Sequence, residues 1–302
     1  MDANPSPVSP EHPVSIGLAL GSGGVRGFAH LGVLEVLERE GIRIGGIAGS
    51  SVGAAIGSMY AFRPKLAPNL THVQHYLHSE LYENNKLDYL RRSEESRQNL
   101  YEKLRVRFAQ GAVLATSLTR TSLFDTSVLS DNVRFLLPPV NIEDAFIPFA
   151  AISFDLNTGE EVAFDSGPLL EAVMASCAIP GVFPAVEHEG RKLMDGGIVN
   201  PVPCDRVREM GVDVVIAVDV TPTLDALPSL SGSYEVAMRA ADISRYRLKS
   251  LMLEKADVVI QTDTVNVFWA DFNRFEDCVN KGREAAEAAL PSIRRAIEAA
   301  AG

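Results

Sequence analysis

Apolar residues gather along this chain in short unbroken runs, separated by longer stretches in which they recur every three or four positions. That alternation is expected of strands buried on both faces with helices packed on them. Residues 14–20 make the first run, Gly45-Gly46-Ile47-Ala48 a second, and 212–220 a third, bounded by Asp213 and Asp219. Over 28–40, Leu31, Leu34 and Leu37 stand three apart, Val33 and Val36 widen the stripe, and Gly41 ends it, which predicts a crossover helix. Small residues with Ile56, Met59 and Tyr60 predict another helix over 52–62. Residues 65–110 are long, polar and helix-forming, with Pro64 and Pro68 as early breaks, and read as helices inserted over the sheet edge. Further on, 148–155 and 161–164 read as a hairpin joined through Asn157-Thr158-Gly159, 168–177 as a helix with Pro168 in its first turn, and 186–193 as a second hairpin. A loop over 221–233, a helix over 234–254, a strand over 257–261 and terminal helices from Arg274 complete the pattern. The class predicted is α/β, a mainly parallel sheet between helical layers.

Composition sets the scale of the fold. With 302 residues, 46% hydrophobic and 22% charged, the chain can fill one large core. The first 13 residues hold four prolines and no basic apolar run, so they are expected to be a disordered tail rather than a signal peptide. The body is then expected to divide into 14–219 and a C-terminal extension, 220–302, packed on it. Phe268, Trp269 and Phe272 admit two readings, a lipid-contact patch or packing of that extension on the core, and packing is preferred. Cys177, Cys204 and Cys278 are odd in number and lack metal-ligand spacing, which points to a reduced, cytoplasmic chain without disulfides or a metal.

A net charge of −11 disfavours nucleic acid as a partner and any strong global attraction to anionic lipid. No run is long and apolar enough to span a bilayer, so a peripheral membrane contact would need a local surface. Between 86 and 120 the basic residues Lys86, Arg91, Arg92, Arg97, Lys103, Arg105, Arg107 and Arg120 outnumber Asp88, Glu94, Glu95 and Glu102, and Leu100, Leu104 and Phe108 recur every four positions. This segment reads either as a packed helix with a solvated basic face, slightly favoured, or as a cap resting on anionic lipid.

Chemistry concentrates in two loops at the ends of neighbouring strands. Gly49-Ser50-Ser51-Val52-Gly53 has the Gly-x-Ser-x-Gly form of a nucleophile elbow, between a predicted strand and a predicted helix. The glycine loop from Gly21 to Gly27 opens onto a helix, where backbone N–H groups can hold an oxyanion or a phosphate. A dinucleotide site would require the second strand to end in an acid, and it ends in Gly49-Ser50-Ser51 instead. The histidines are His12, His30, His72, His75, His78 and His188, none in the last third where a Ser-Asp-His hydrolase would place its base. A carboxylate in a glycine-flanked turn after a strand is the alternative, and Asp195-Gly196-Gly197 supplies it, although an Asp-Gly pair can also be only a turn. His30 reads as a buried structural histidine, His72, His75 and His78 as a polar helix face, His188 as a surface residue, and Cys177 as a small buried hydrophobe.

Taken in order, Gly23-Gly24-Val25-Arg26-Gly27, Gly49 to Gly53, and Asp195-Gly196-Gly197 resemble the three motifs of patatin-like phospholipases, and the loop over 175–184 is similar to the one preceding that family's aspartate. The resemblance spans about 14–219, with Ser22 standing where the family often has glycine. It implies a three-layer α/β/α fold with a helical insertion, and a lipid or ester substrate cleaved without metal or cofactor. Ser51 would be the nucleophile, Asp195 the base, Gly23 and Gly24 the oxyanion donors, and Gly49 and Gly53 the elbow glycines. Arg26 and Gly27 would support the loop, Arg26 by bracing it through backbone carbonyls rather than by adding to the field on the oxyanion. The rival reading is a non-catalytic lipid-binding or regulatory protein that keeps the fold.

Overall fold

The computed structural model describes residues 14–84, 121–224 and 232–302. The proline-rich start and the basic segment 86–120 lie outside the described residues. Among the described residues eight strands form one sheet: β1 (Ile16–Leu20), β2 (Ile44–Ser50), β3 (Phe149–Asp155), β4 (Glu161–Phe164), β5 (Val186–His188), β6 (Arg191–Asp195), β7 (Val214–Asp219) and β8 (Val258–Gln261). The described helices are α1 (Ala29–Arg39), α2 (Val52–Phe62), α3 (Leu66–Leu77), α4 (Glu80–Asn84), α5 (Thr126–Leu136), α6 (Leu169–Cys177), α7 (Cys204–Glu209), α8 (Ser233–Leu253) and α9 (Phe275–Ala301).

The strand path is β5-β6-β3-β2-β1-β7-β8, with β4 paired to β3. Strands β3, β2, β1, β7 and β8 run parallel, while β4, β5 and β6 run against their neighbours. From β1 the chain builds outward to β2 and β3, then returns to lay β7 and β8 on the other side. The carboxyl ends of β1, β2 and β7 therefore flank a topological switch point, where α/β sheets open a crevice.

Alternation along the strands divides the core between two faces. Leu18, Leu20, Ile47, Phe149, Ala151, Ile216 and Val218 point into the larger cluster with α1, α2, α6 and α9. Ala19, Ala48, Ala150, Val215 and Ala217 point to the other face, where α7 lies close on small side chains through Cys204 and Val207. Both faces are thus covered, the three-layer arrangement that near-continuous apolar strands require.

Two proline positions depart from expectation. Pro68 does not break a helix but sits in the first turn of α3, where its missing N–H costs nothing. The terminal helices are a single one, α9, which continues through Pro291 because its buried face does, with Ala286 before the proline and Ile293 after it. Helix α9 crosses α1 closely. A Cβ at Gly282 would strike the Ala29 carbonyl, and one at Gly32 the Val279 carbonyl, so glycine is required on both helices.

Sheet register brings the two ends of interest together. Strand β4 occupies one edge of β3, pairing Val162 with Ser153 and Glu161 with Phe154. Strand β6 also pairs with Ser153 and Phe154, so it must lie along the opposite edge. That edge is already taken upstream by β2, whose Ser50 faces Ile152. Strands β2 and β6 therefore point at each other end to end: β2 stops at Ser50 opposite Ile152, and β6 stops at Asp195 opposite Ser153.

Candidate active site

At the end of β2 the chain turns sharply into α2, and Ser51 takes φ 56° and ψ −125°. A side chain in that region is strained by about 1–3 kcal/mol, so the surroundings must hold it. A Cβ at Gly49 would collide with the Gly53 backbone and one at Gly53 with the Leu20 carbonyl, which accounts for both elbow glycines. The Ser51 N–H donates to Ser176 Oγ at 2.9 Å, and Ser50 Oγ donates to the Asn200 carbonyl at 2.6 Å. Ser176 is fully buried at the end of α6.

Asp195 meets the elbow where the register places it. Ser51 Oγ donates to Asp195 Oδ2 at 2.6 Å, and the Gly197 N–H donates to Oδ1 at 2.8 Å, so each carboxylate oxygen has one partner. The Asp195 backbone N–H donates to the Ala178 carbonyl at 3.0 Å, which brings the loop after α6 against the site. Burial raises the Asp195 pKa to about 6, against the opposing effects of the Ser51 and Gly197 hydrogen bonds and the positive charge of Arg245. Cys177, expected to be a small buried hydrophobe, packs on the core but is only partly buried. Its thiol is pushed up by desolvation and by the nearby Asp195 charge.

The glycine loop follows β1 beside both residues. The Gly21, Ser22 and Val25 N–H groups donate to Val218, Pro201 and Trp269 carbonyls at 3.0, 2.9 and 2.8 Å. Among the described residues no hydrogen bond uses the N–H of Gly23 or Gly24, and Gly24 has φ 58° with no room for a Cβ beside the Trp269 carbonyl. Gly27 lies against Val52, the residue after Ser51, which fixes the loop to the elbow. Ser22 lies over Gly197, where a Cβ would come within 2.5 Å of its Oγ, so this departure from the family pattern fits the site.

Arg26 Nε donates to the Val267 carbonyl at 2.7 Å, a tie between the glycine loop and the segment after β8. His30 is fully buried with Nε2 donating to the Gly21 carbonyl at 2.8 Å, and burial lowers its pKa to about 4, so the ring is neutral and supports the loop from beneath. Trp269 holds Val25 through its carbonyl, and Phe272 meets Phe28 edge-on with ring centroids 6.0 Å apart. Two of the three aromatics thus brace the same loop.

The remaining histidines work elsewhere. His188 is partly buried rather than fully at the surface, bonded to Glu171 and edge-on to Phe164. His72 departs from a purely solvated face: its ring stacks on Phe135 and its Nε2 bonds the Phe135 carbonyl at 3.0 Å. No cluster among the described residues could hold a metal ion. Ser176, the Asn200 carbonyl and Arg245 were missed as site residues by sequence reasoning. Only Ser176 left a trace, as a hydroxyl inside the motif-like loop 175–184.

The patatin-like phospholipase model matches residues 18–208. An NTE family protein of Mycobacterium tuberculosis is 35% identical over 224 residues, covering 72% of this chain and 54% of its own. A patatin-like phospholipase domain-containing protein of Caenorhabditis elegans is 32% identical over 232 residues, covering 74% of this chain and 15% of its own. This chain thus spans about half the length of the mycobacterial relative and a smaller share of the nematode one. Among solved structures, VipD of Legionella pneumophila aligns over 94% of this chain and 67% of its own, at 16% identity and a TM-score of 0.45, a likeness too slight to carry weight. With glycine loop, elbow and aspartate turn all inside or beside a family match that covers more than half of its residues, the chain belongs to the patatin-like phospholipase family.

Proposed function

We propose that this protein is a serine-dependent lipid acyl hydrolase of the phospholipase A, lysophospholipase or esterase type, with Ser51 and Asp195 as its dyad. The observation that carries the reading is the 2.6 Å hydrogen bond from Ser51 Oγ to Asp195 Oδ2 at a strained elbow, beside two backbone N–H groups without a partner among the described residues. Asp195 accepts the Ser51 proton as Oγ attacks the ester carbonyl, and the N–H groups of Gly23 and Gly24 hold the oxyanion. Collapse expels the alcohol, which takes the proton from Asp195 and leaves an acyl-Ser51 ester. Water then attacks that ester, Asp195 accepts its proton, and the proton returns to Ser51 Oγ as the carboxylic acid leaves. A base whose pKa lies near 6 is ionised at neutral pH and is a better proton acceptor than an ordinary aspartate. The catalytic unit in this reading is 14–219, with 220–302 contributing β8 and α9 to the same sheet and helical layer.

The test is a panel of short-chain ester, lysophospholipid and phospholipid substrates on wild type and Ser51→Ala. Wild type should hydrolyse at least one, and Ser51→Ala should lose about 10⁴-fold or more in turnover. A folded Ser51→Ala that retains turnover would refute the dyad, and a wild type inert on every substrate would favour a binding role.

A further inference from the structure

The three loops of the site share one anchor outside the dyad. Ser50 Oγ, next to Ser51, donates to the Asn200 carbonyl at 2.6 Å. The Ser22 N–H of the glycine loop donates to the following carbonyl, that of Pro201, at 2.9 Å. The Asn200 N–H in turn donates to the Gly196 carbonyl at 2.8 Å and closes the turn that begins at Asp195. Elbow, glycine loop and aspartate turn therefore all hang on the main chain of Asn200 and Pro201.

Main-chain ties hold a position only if the dipeptide is itself fixed. Pro201 restricts the backbone of Asn200, and the Asn200 side chain supplies the rest. It is 1% exposed, and Nδ2 donates both to Glu161 Oε2 at 3.0 Å and to Asp205 Oδ1 at 2.9 Å. One acceptor stands at the start of β4 and the other in the first turn of α7, so the amide is pinned between two elements. Each carboxylate is held in its turn, Glu161 by Arg206 Nε at 2.6 Å and Asp205 by Lys255 Nζ at 3.1 Å. Ionised carboxylates only accept, which fixes the amide with its NH₂ toward them. Oδ1 is then left buried without a hydrogen-bond partner among the described residues. An acceptor left that way is costly, so the side chain is kept for what Nδ2 holds.

We propose that Asn200 is a positioning residue: its amide, held by Glu161 and Asp205, sets the main chain that aligns Ser51, Asp195 and the Gly23–Gly24 loop for attack. This role rests on the catalytic reading above. The Asn200 side chain makes no hydrogen bond to Ser51 or Asp195, so it acts through the main chain.

The test is the time course of fluorophosphonate labelling at Ser51 in the full chain, with kcat and KM for a soluble short-chain ester. The end-point counts competent sites, and the rate constant reports their alignment. In Asn200→Ala the rate constant and kcat should each fall about a hundredfold, with KM changed by less than about threefold and the end-point as in wild type. Asn200→Asp keeps the volume but sets an acceptor against two acceptors, and should fall at least as far. Adding Glu161→Gln to it returns a donor to the pair, so the double variant should regain about tenfold, which a general loosening of the fold would not do. Glu161→Ala leaves Asn200 in place, changes only a partly buried residue, and should fold even where the Asn200 variants do not. It should slow labelling about tenfold.

Wild type labelled on Ser51, with Asn200→Ala or Glu161→Ala equally fast, would overturn this role alone. So would a lower end-point at an unchanged rate, which is what a merely stabilising residue gives, or a double variant no faster than Asn200→Asp. A wild type that takes no label on Ser51 would overturn the catalytic reading and this role with it.

Discussion

Between about pH 4 and pH 6 the Asp195 carboxyl loses its proton in the unfolded chain but keeps it in the folded one, because its pKa rises from 3.8 to about 6 on burial. Stability from this group is therefore fully present below about pH 4, is lost as pH rises toward 6, and stays lost above it. A shift of about two units corresponds to at most about 3 kcal/mol. Asp195→Asn, which carries no charge, should accordingly be more stable than wild type by about 1–3 kcal/mol at pH 8 and equal to it near pH 4, measured by urea denaturation. It should also be slower by about 10³-fold or more. A wild type more stable than the variant at pH 8 would mean that Asp195 is ionised in the fold without penalty. The same carboxylate sets the acid limb of activity: kcat/KM for a neutral soluble ester should rise with pH through about 6 and then level. Arg245→Gln removes a charge that favours the ionised form, so it should move that limb to higher pH, and an unmoved limb would show that Arg245 does not act on Asp195.

At the scale of elements, the Ser51–Asp195 contact is set by strand ends, with helix and loop ends locking them. The end of α6 supplies the Ser176 hydroxyl to the Ser51 N–H and the Ala178 carbonyl to the Asp195 N–H, so one loop holds both residues. Helix α8 is tied down by the buried pair of Lys249 and Asp219. Lys249→Met would leave Asp219 uncompensated inside the fold and should cost about 3–5 kcal/mol in urea denaturation, much of which the double variant Lys249→Met, Asp219→Asn should restore. If the single variant were as stable as wild type, the pair would not be the anchor. Elements with a strong local signal were legible in the sequence: the apolar runs of β1, β2 and β7, the leucine spacing of α1, and the glycines of the elbow. Pro68 and α9 misled because a proline costs nothing in a first turn, and because packing on both sides of Pro291 outweighs the hydrogen bond it removes.

Over the whole molecule, the three motifs could be read from 302 residues, but the reason they meet could not. Ser51 and Asp195 are 144 positions apart, and they touch because β4 excludes β6 from one edge of β3 while β2 stops short on the other. Register of this kind is a property of three strands at once and leaves no local trace in sequence.

The most direct test of the dyad is the rate and site of covalent labelling by a fluorophosphonate probe across pH, read by peptide mapping. Wild type should carry the label on Ser51 alone, with a rate that rises through about pH 6 as Asp195 ionises, and Asp195→Asn should label far more slowly at every pH. Label on another residue, or on Ser51 at a rate that Asp195→Asn leaves unchanged, would contradict it.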